Sequence, residues 1–196
     1  MKAALMLAVN HKAKRQHDDF YATDPWAVYK AQEEFRRIGL NTRIWEPACG
    51  KGHLSKALAR CGYEVKSTDI VDYGYGDDVI NFLTCNDKWY GDIVTNPPFK
   101  LANQFVEHSM TLLKKGGKAV FFLKIQFLET KKRQELFKKY GLKYVLVNSE
   151  RVCCAMNGDF DKYFKQKNGH YTGGTQLYAW FVFEKGYSGE TILRWI

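Results

Sequence analysis

The sequence predicts an α/β fold: a three-layer sandwich whose central sheet is mostly parallel, with about seven strands and one of them antiparallel. Three observations lead there. Short apolar runs alternate with amphipathic stretches along the chain. "EPACGKGHL" places two closely spaced glycines between an apolar run and a helical pattern, as a strand-to-helix junction requires. "TQLYAWFVFEK" is apolar on both faces and follows another strand with no convincing helix between, which suits a central strand that reverses direction.

Taken in order, residues 1–22 read as an irregular basic lead-in. "TDPW" then starts a helix, with Asp24 as cap and Pro25 in the first turn, that runs to about Ile38 and stops at Gly39. "TRIWEPA" is a strand, and the helix after "CGKG" places Leu54, Ala57, Leu58 and Cys61 on one face. "YEVKSTDI" is the next strand. A loop rich in Gly, Asp and Tyr leads to a short element around "VINFL", and "DIVTN" is again a strand. "LANQFVEHSMTLLKKGG" is a helix with Leu101, Phe105, Val106 and Leu113 at helical spacing, lysines in its last turn and Gly116 at its end. "KAVFFLK" and "KYVLVNS" are strands flanking the helix "ETKKRQELFKKY". Residues 150–175 break the regularity. They form a long, basic, glycine-containing connection, either a decorated surface loop or a functional one.

No repeat or low-complexity linker divides the 196 residues, so residues 1–196 read as a single domain. Apolar residues are 45% and charged residues 26% of the chain, which is globular composition and excludes a disordered or fibrous class. The formal net charge is +9 and the pI about 9.2. Such a balance favours a polyanionic partner, nucleic acid being the commonest, although an inert basic surface has the same composition. Five cysteines without a C-x-x-C pair indicate a reducing compartment and no zinc site. Neither a signal peptide nor a membrane span is legible, so the expected location is cytoplasmic, with no membrane and no obligatory protein partner.

At the end of the first sheet strand, Gly50 and Gly52 permit a tight turn and close approach of a ligand to the backbone. The following helix points its N-terminus at that ligand. Asp69 ends the next strand about 20 residues on, where an acid binding ribose hydroxyls is expected in Rossmann-like sheets. "NPPF" follows the strand "DIVT". An exocyclic amine is a poor nucleophile because its lone pair is delocalised into the ring. Two fixed acceptors that take its hydrogens localise the lone pair. The Asn96 side-chain oxygen is one candidate. The Pro97 carbonyl is the other, because a Pro97–Pro98 pair continues neither ladder nor helix. Phe99 can stack on a planar target. The candidate catalytic set is therefore Asn96, Pro97, Pro98 and Phe99.

"EPACGKG" resembles the first motif of the class I methyltransferases that use S-adenosylmethionine. With Asp69 and "NPPF", in order and spacing, it resembles the adenine-specific amino-methyltransferases of nucleic acid, in the gamma-like motif order. "YATDPW" looks like the motif that precedes these in that group. The core of the resemblance covers residues 20–125. Stretches near the C-terminus look like small solitary phage and prophage enzymes. The resemblance implies S-adenosylmethionine as cofactor, without a metal, and DNA as substrate, with RNA possible. It implies that Tyr21 and Thr23 close over the methionine end and that Glu46, Pro47 and Ala48 accompany the glycine turn, Glu46 facing the ammonium and sulfonium. Ile70 follows Asp69 in the same cofactor set, and Asn96 borders it.

Two departures stand out. Where the family often has an Asp-Phe pair for the cofactor's adenine, this chain has Asn81 and Phe82, with Asp77 and Asp78 as alternatives to Asn81. The chain also has no room for a separate target-recognition domain. The residues 150–175 loop carries Lys162, Lys165 and Lys167 interleaved with Tyr163, a pattern suited to backbone tracking and base stacking. The lysines of "ETKKRQELFKKY" read as a solvated helix face. Rival readings are an RNA adenine methyltransferase, a protein glutamine-amide methyltransferase and a non-catalytic cofactor-binding module.

Overall fold

The structure, a computed structural model, describes residues 21–156, 158–167, 170–172 and 176–196. Its strands are β1 (Tyr21–Thr23), β2 (Arg43–Glu46), β3 (Glu64–Asp69), β4 (Asp78–Val79), β5 (Asp92–Thr95), β6 (Lys118–Lys124), β7 (Leu142–Val147), β8 (Cys154–Met156), β9 (Phe164–Lys165), β10 (Tyr171–Thr172), β11 (Tyr178–Glu184) and β12 (Ile192–Trp195). Its helices are α1 (Trp26–Arg37), α2 (His53–Arg60), α3 (Ala102–Leu112) and α4 (Lys131–Tyr140). Eight strands form one sheet in the order β12-β7-β11-β6-β5-β2-β3-β4. β11 runs antiparallel to both neighbours, and the remaining pairs are parallel.

Alternation along the strands sorts side chains onto two faces. Phe121, Leu123, Phe181 and Phe183 join α3 and α4 in one hydrophobic cluster. Val120, Phe122, Trp180 and Val182, the intervening residues, join α1 and α2 in the other. A three-layer α/β sandwich follows, as expected. β11 is buried on both faces because it lies between β6 and β7.

Three details differ from the expectation. An eighth strand, β12, extends the sheet beyond β7. Three of its four residues are exposed, so no buried alternation marks it in the sequence. Tyr21 and Ala22 belong to a strand, not to an irregular lead-in, because β1 pairs with β8 far along the chain; residues 1–20 lie outside the described residues. Helix α3 ends at Leu112, and Lys114 and Lys115 follow it in the turn that Gly116 closes with φ +80°.

From the centre of the sheet the chain winds in opposite directions: β2, β3 and β4 one way, β5 and β6 the other. β2 and β5 are adjacent, so their carboxyl ends diverge at a switch point, where open α/β sheets bind ligands. Glu46 ends β2 and Asn96 follows β5 at that place.

Candidate active site

A cavity of about 340 Å³ opens at this switch point, within the usual range for small-molecule sites, about 300–1,000 Å³. Tyr21, Thr23, Glu46, Pro47, Ala48, Asp69, Ile70, Asn81, Phe82, Asn96 and Pro98 line it. Gly50, Gly52, Pro97 and Phe99 do not lie on its wall.

The glycines act on the turn itself. Gly50 and Gly52 have φ of +51° and +77°. A Cβ on Gly52 would fall inside the Tyr75 ring, so its bare side makes room for Tyr75. The Gly50 N–H donates to Asp69 Oδ2 at 2.8 Å. The Val71 N–H donates to Asp69 Oδ1 at 3.1 Å. These two bonds fix the carboxylate and leave lone pairs for a ligand's hydroxyls. Burial raises the Asp69 pKa above its ordinary value, against the backbone N–H groups of Gly50, Val71 and Ile70 that lower it.

Glu46 is 2% exposed. Ser55 donates its hydroxyl to Glu46 Oε2, and Ser55 and Ser67 share a hydrogen bond of 2.7 Å. Burial pushes the Glu46 carboxyl up to about 8, against the Ser55 hydrogen bond. A cation entering the cavity reverses that balance and favours the carboxylate. Burial pushes the Cys49 thiol up to about 12, with the Glu46 and Asp69 carboxyls adding to it, so this cavity residue is not an activated nucleophile.

At the other side of the switch point, Asn96 Nδ2 donates to the Tyr21 carbonyl and to Thr23 Oγ1, each at 3.0 Å. Its Oδ1 is buried and has no hydrogen-bond partner. β1 thus orients the amide: both donors face the strand and the oxygen is left over. The following 3-10 turn is closed by Leu101 N–H to the Pro98 carbonyl at 2.8 Å and does not use the Pro97 carbonyl. Phe99 packs beside this site, its ring 5.5 Å from Tyr21 and 6.2 Å from Tyr178. The Lys124 ammonium lies 4.7 Å from the same ring.

Asn81, Asp77 and Asp78 are placed differently. Asp77 Oδ2 accepts the Ser67 N–H at 2.7 Å, away from the cavity. Asp78 sits exposed in β4. Asn81 reaches the wall beside Phe82, its oxygen accepting the Leu83 N–H at 3.1 Å.

Lys162, Lys165 and Lys167 are exposed. Lys162 pairs with Asp159 at 2.7 Å. Tyr163 is half-buried, with its hydroxyl donating to the Cys154 carbonyl at 3.4 Å, so it anchors the segment to β8. Sequence reasoning read Asp24 only as a helix cap. It does more than that. Oδ1 accepts the Trp26 N–H at 3.0 Å, while Oδ2 accepts the Tyr171 N–H at 2.8 Å and meets buried His170 at 3.2 Å. Tyr75 and His53 were also not anticipated, and only the glycine spacing hinted that something must occupy the space at Gly52. Among the described residues, no His, Cys, Asp and Glu cluster suits a metal ion. No helix among them is long and apolar enough to cross a membrane.

No protein-family model and no curated protein matches the sequence. Solved structures do match. One, from Listeria monocytogenes and described as a class I S-adenosylmethionine-dependent methyltransferase, superposes with a TM-score of 0.59 at 14% identity, over 100% of this chain and 71% of that one. The fold is that of the class I methyltransferases. A Vibrio vulnificus protein described as a modification subunit of a type I restriction enzyme gives a TM-score of 0.55 at 16% identity, over 96% of this chain and 49% of the other. A Pyrococcus horikoshii protein described as an RNA methyltransferase gives 0.58 at 12% identity, covering 94% of this chain and 98% of that one.

S-adenosylmethionine suits the donor set of this class I fold. Asp69 offers fixed acceptors for a diol, and Ile70 and Phe82 offer apolar surface for a base. Glu46, a buried acid whose pKa burial raises to about 8, lines the same cavity.

Proposed function

We propose that the protein transfers a methyl group from S-adenosylmethionine to the 6-amino group of adenine in DNA, with the target base turned out of the stack. The observation that carries this reading is the Asn96 amide, whose donors are spent on Tyr21 and Thr23 while its buried oxygen has no partner. A buried acceptor left unpaired costs about 1–3 kcal/mol, a cost that an incoming N–H removes. When bound, the cofactor supplies an electrophilic methyl on a sulfonium.

In this reading Asn96 Oδ1 and the Pro97 carbonyl each accept one hydrogen of the amine, which aims the nitrogen lone pair at the methyl; the new N–C bond would form as the methyl's bond to sulfur breaks, and one amine hydrogen would then leave as a proton to water. Because Oδ1 is buried, substrate entry requires the covering segments to yield. Phe99 supplies a ring for the extruded base, and the base displaces the Lys124 ammonium from one side of that ring. Tyr21 and Thr23 hold Asn96 in register, Glu46 neutralises the cationic end, Asp69 holds the ribose, and Asn81 with Phe82 takes the cofactor's adenine. Gly50 and Gly52 shape the turn that presents Glu46, Pro47 and Ala48. Exposed Lys162, Lys165 and Lys167 support a polyanionic substrate, as does the net charge of +9. They also weigh against a glutamine amide of a protein.

The deciding experiment incubates the protein with isotope-labelled S-adenosylmethionine and DNA, RNA or peptide, then digests each product for mass spectrometry. Labelled 6-methyladenine in the DNA digest is the expected result. Label confined to RNA or peptide moves the same chemistry to another substrate. No label in any of them, with cofactor bound, leaves a binding module.

A further inference from the structure

His53 is not used by the reading above, yet it lines the cavity and also packs against the segment that follows β8. It is the first residue of α2 and lines the cavity. Its Nδ1 is buried and has no hydrogen-bond partner. Its ring lies 5.4 Å from that of Phe160, which lies 4.8 Å from Tyr171. Gly158, with φ +71°, closes over the same ring, and a Cβ there would stand 3.1 Å from His53 Cε1. One imidazole therefore forms cavity wall on one side and a seat for the Gly158–Tyr163 segment on the other. That segment carries Lys162 and Tyr163.

A buried, unpartnered imidazole nitrogen asks for an explanation. Burial lowers the His53 pKa, and Lys56 and Lys51 lower it further. The neutral ring offers one donor and one acceptor, and the two lysines make the surroundings favourable to an anion. The amino-acid end of S-adenosylmethionine carries a carboxylate. Thr23 and Glu46, the residues assigned to that end, line the same cavity as His53.

We infer that His53 is a positioning residue that links occupancy of the cavity by the cofactor's carboxylate end to the seating of the Phe160 segment. The inference rests on the cofactor assignment proposed above. It predicts ordered assembly: the cofactor's amino-acid end draws the imidazole into a hydrogen bond, the ring settles, and Phe160 with its neighbouring Lys162 and Tyr163 takes a fixed place before nucleic acid arrives.

The test compares S-adenosylhomocysteine with 5′-methylthioadenosine, which lacks the amino-acid end. Affinities are measured by calorimetry, and hydrogen exchange is followed in peptides covering residues 158–163. Wild-type protein binds S-adenosylhomocysteine more tightly, and only that ligand protects the segment. His53→Ala reduces the affinity ratio roughly tenfold, as expected for one hydrogen bond to a charged group, and abolishes the protection even at saturating ligand. His53→Gln, which keeps a polar side chain, restores part of the ratio but not the protection, because the ring that seats Phe160 is gone. An unchanged ratio, or protection that survives in His53→Ala, overturns the inference while leaving the proposed function standing. Failure of wild-type protein to bind either ligand overturns the cofactor assignment and this inference together.

Discussion

Asn96 Nδ2 donates to the Tyr21 carbonyl at 3.0 Å, across 75 residues of sequence, and so joins the end of β5 to a strand outside the main sheet. The bond does two jobs. It closes β1 over the cavity, and it decides which end of the amide remains available. Asn96→Ala removes both. Turnover is expected to fall about 100-fold or more, as when one pre-organised hydrogen-bonding group is deleted from a reaction centre. Cofactor affinity should fall by no more than about tenfold, from loss of the β1 tether. Single-turnover rates beside an S-adenosylhomocysteine titration separate the two effects. Equal losses in both would make Asn96 a strut for the cavity wall only.

Glu46 sets a pH dependence whose sign can be stated. Its folded-state value of about 8 lies above the unfolded value of 4.5. The folded state therefore holds a proton that the unfolded state loses between these values. The stabilisation from this proton is fully present below pH 4.5 and is lost as pH rises through about 8, with a limiting slope of about 1.4 kcal/mol per pH unit. Chemical denaturation across pH 5–8 should show wild-type protein losing stability relative to Glu46→Gln. Parallel curves would mean that Glu46 is already ionised in the folded protein.

Cofactor binding should move in the opposite direction over the same range. A cation favours the carboxylate form of Glu46, so S-adenosylmethionine affinity should rise as pH approaches 8 in wild-type protein and stay flatter in Glu46→Gln. Proton release measured by calorimetry in two buffers of different ionisation enthalpy checks this directly.

Asp69→Ala should weaken S-adenosylhomocysteine binding by about 1.5–3 kcal/mol, the usual contribution of hydrogen bonds to a charged group. It also strands the Gly50 and Val71 N–H groups that Asp69 accepts, so the thermal midpoint should drop as well. Calorimetry and a melt on the same sample test both. Unchanged affinity would place the ribose elsewhere.

The three loop lysines should not contribute equally to nucleic-acid binding. Each phosphate contact contributes about 0.9 to the slope of log affinity against log salt for duplex DNA. Neutralising Lys165 or Lys167 should lower that slope by about this amount. Neutralising Lys162 should lower it less, because Asp159 already pairs with it at 2.7 Å. Titrations at several salt concentrations decide it, and a slope untouched by all three substitutions would remove this segment from the binding surface.

The α/β class, the glycine turn, Asp69 at a strand end and the Asn-Pro-Pro-Phe stretch after the next strand were legible in the chain itself. Each is a local pattern: hydrophobic period, turn residues, or a residue type at the end of an apolar run. Those patterns also placed β11 correctly inside the sheet, because a strand buried on both faces must be apolar throughout. Tertiary structure decided the rest. The three-residue pairing of β1 with β8 leaves no local trace, since strands so short carry no period. The exposed edge strand β12 lacks an apolar face to announce it. That the bare side of Gly52 makes room for Tyr75, a ring delivered by a loop whose position no spacing encodes, was also not legible. Only the structure showed that Asn81 lines the cavity and that Asp77 Oδ2 takes the Ser67 N–H. The residue types at this site are properties of the chain. Which atom of Asn96 is left unpaired, and which rings seat against His53, depend on contacts between residues far apart in sequence, and folding alone brings those together.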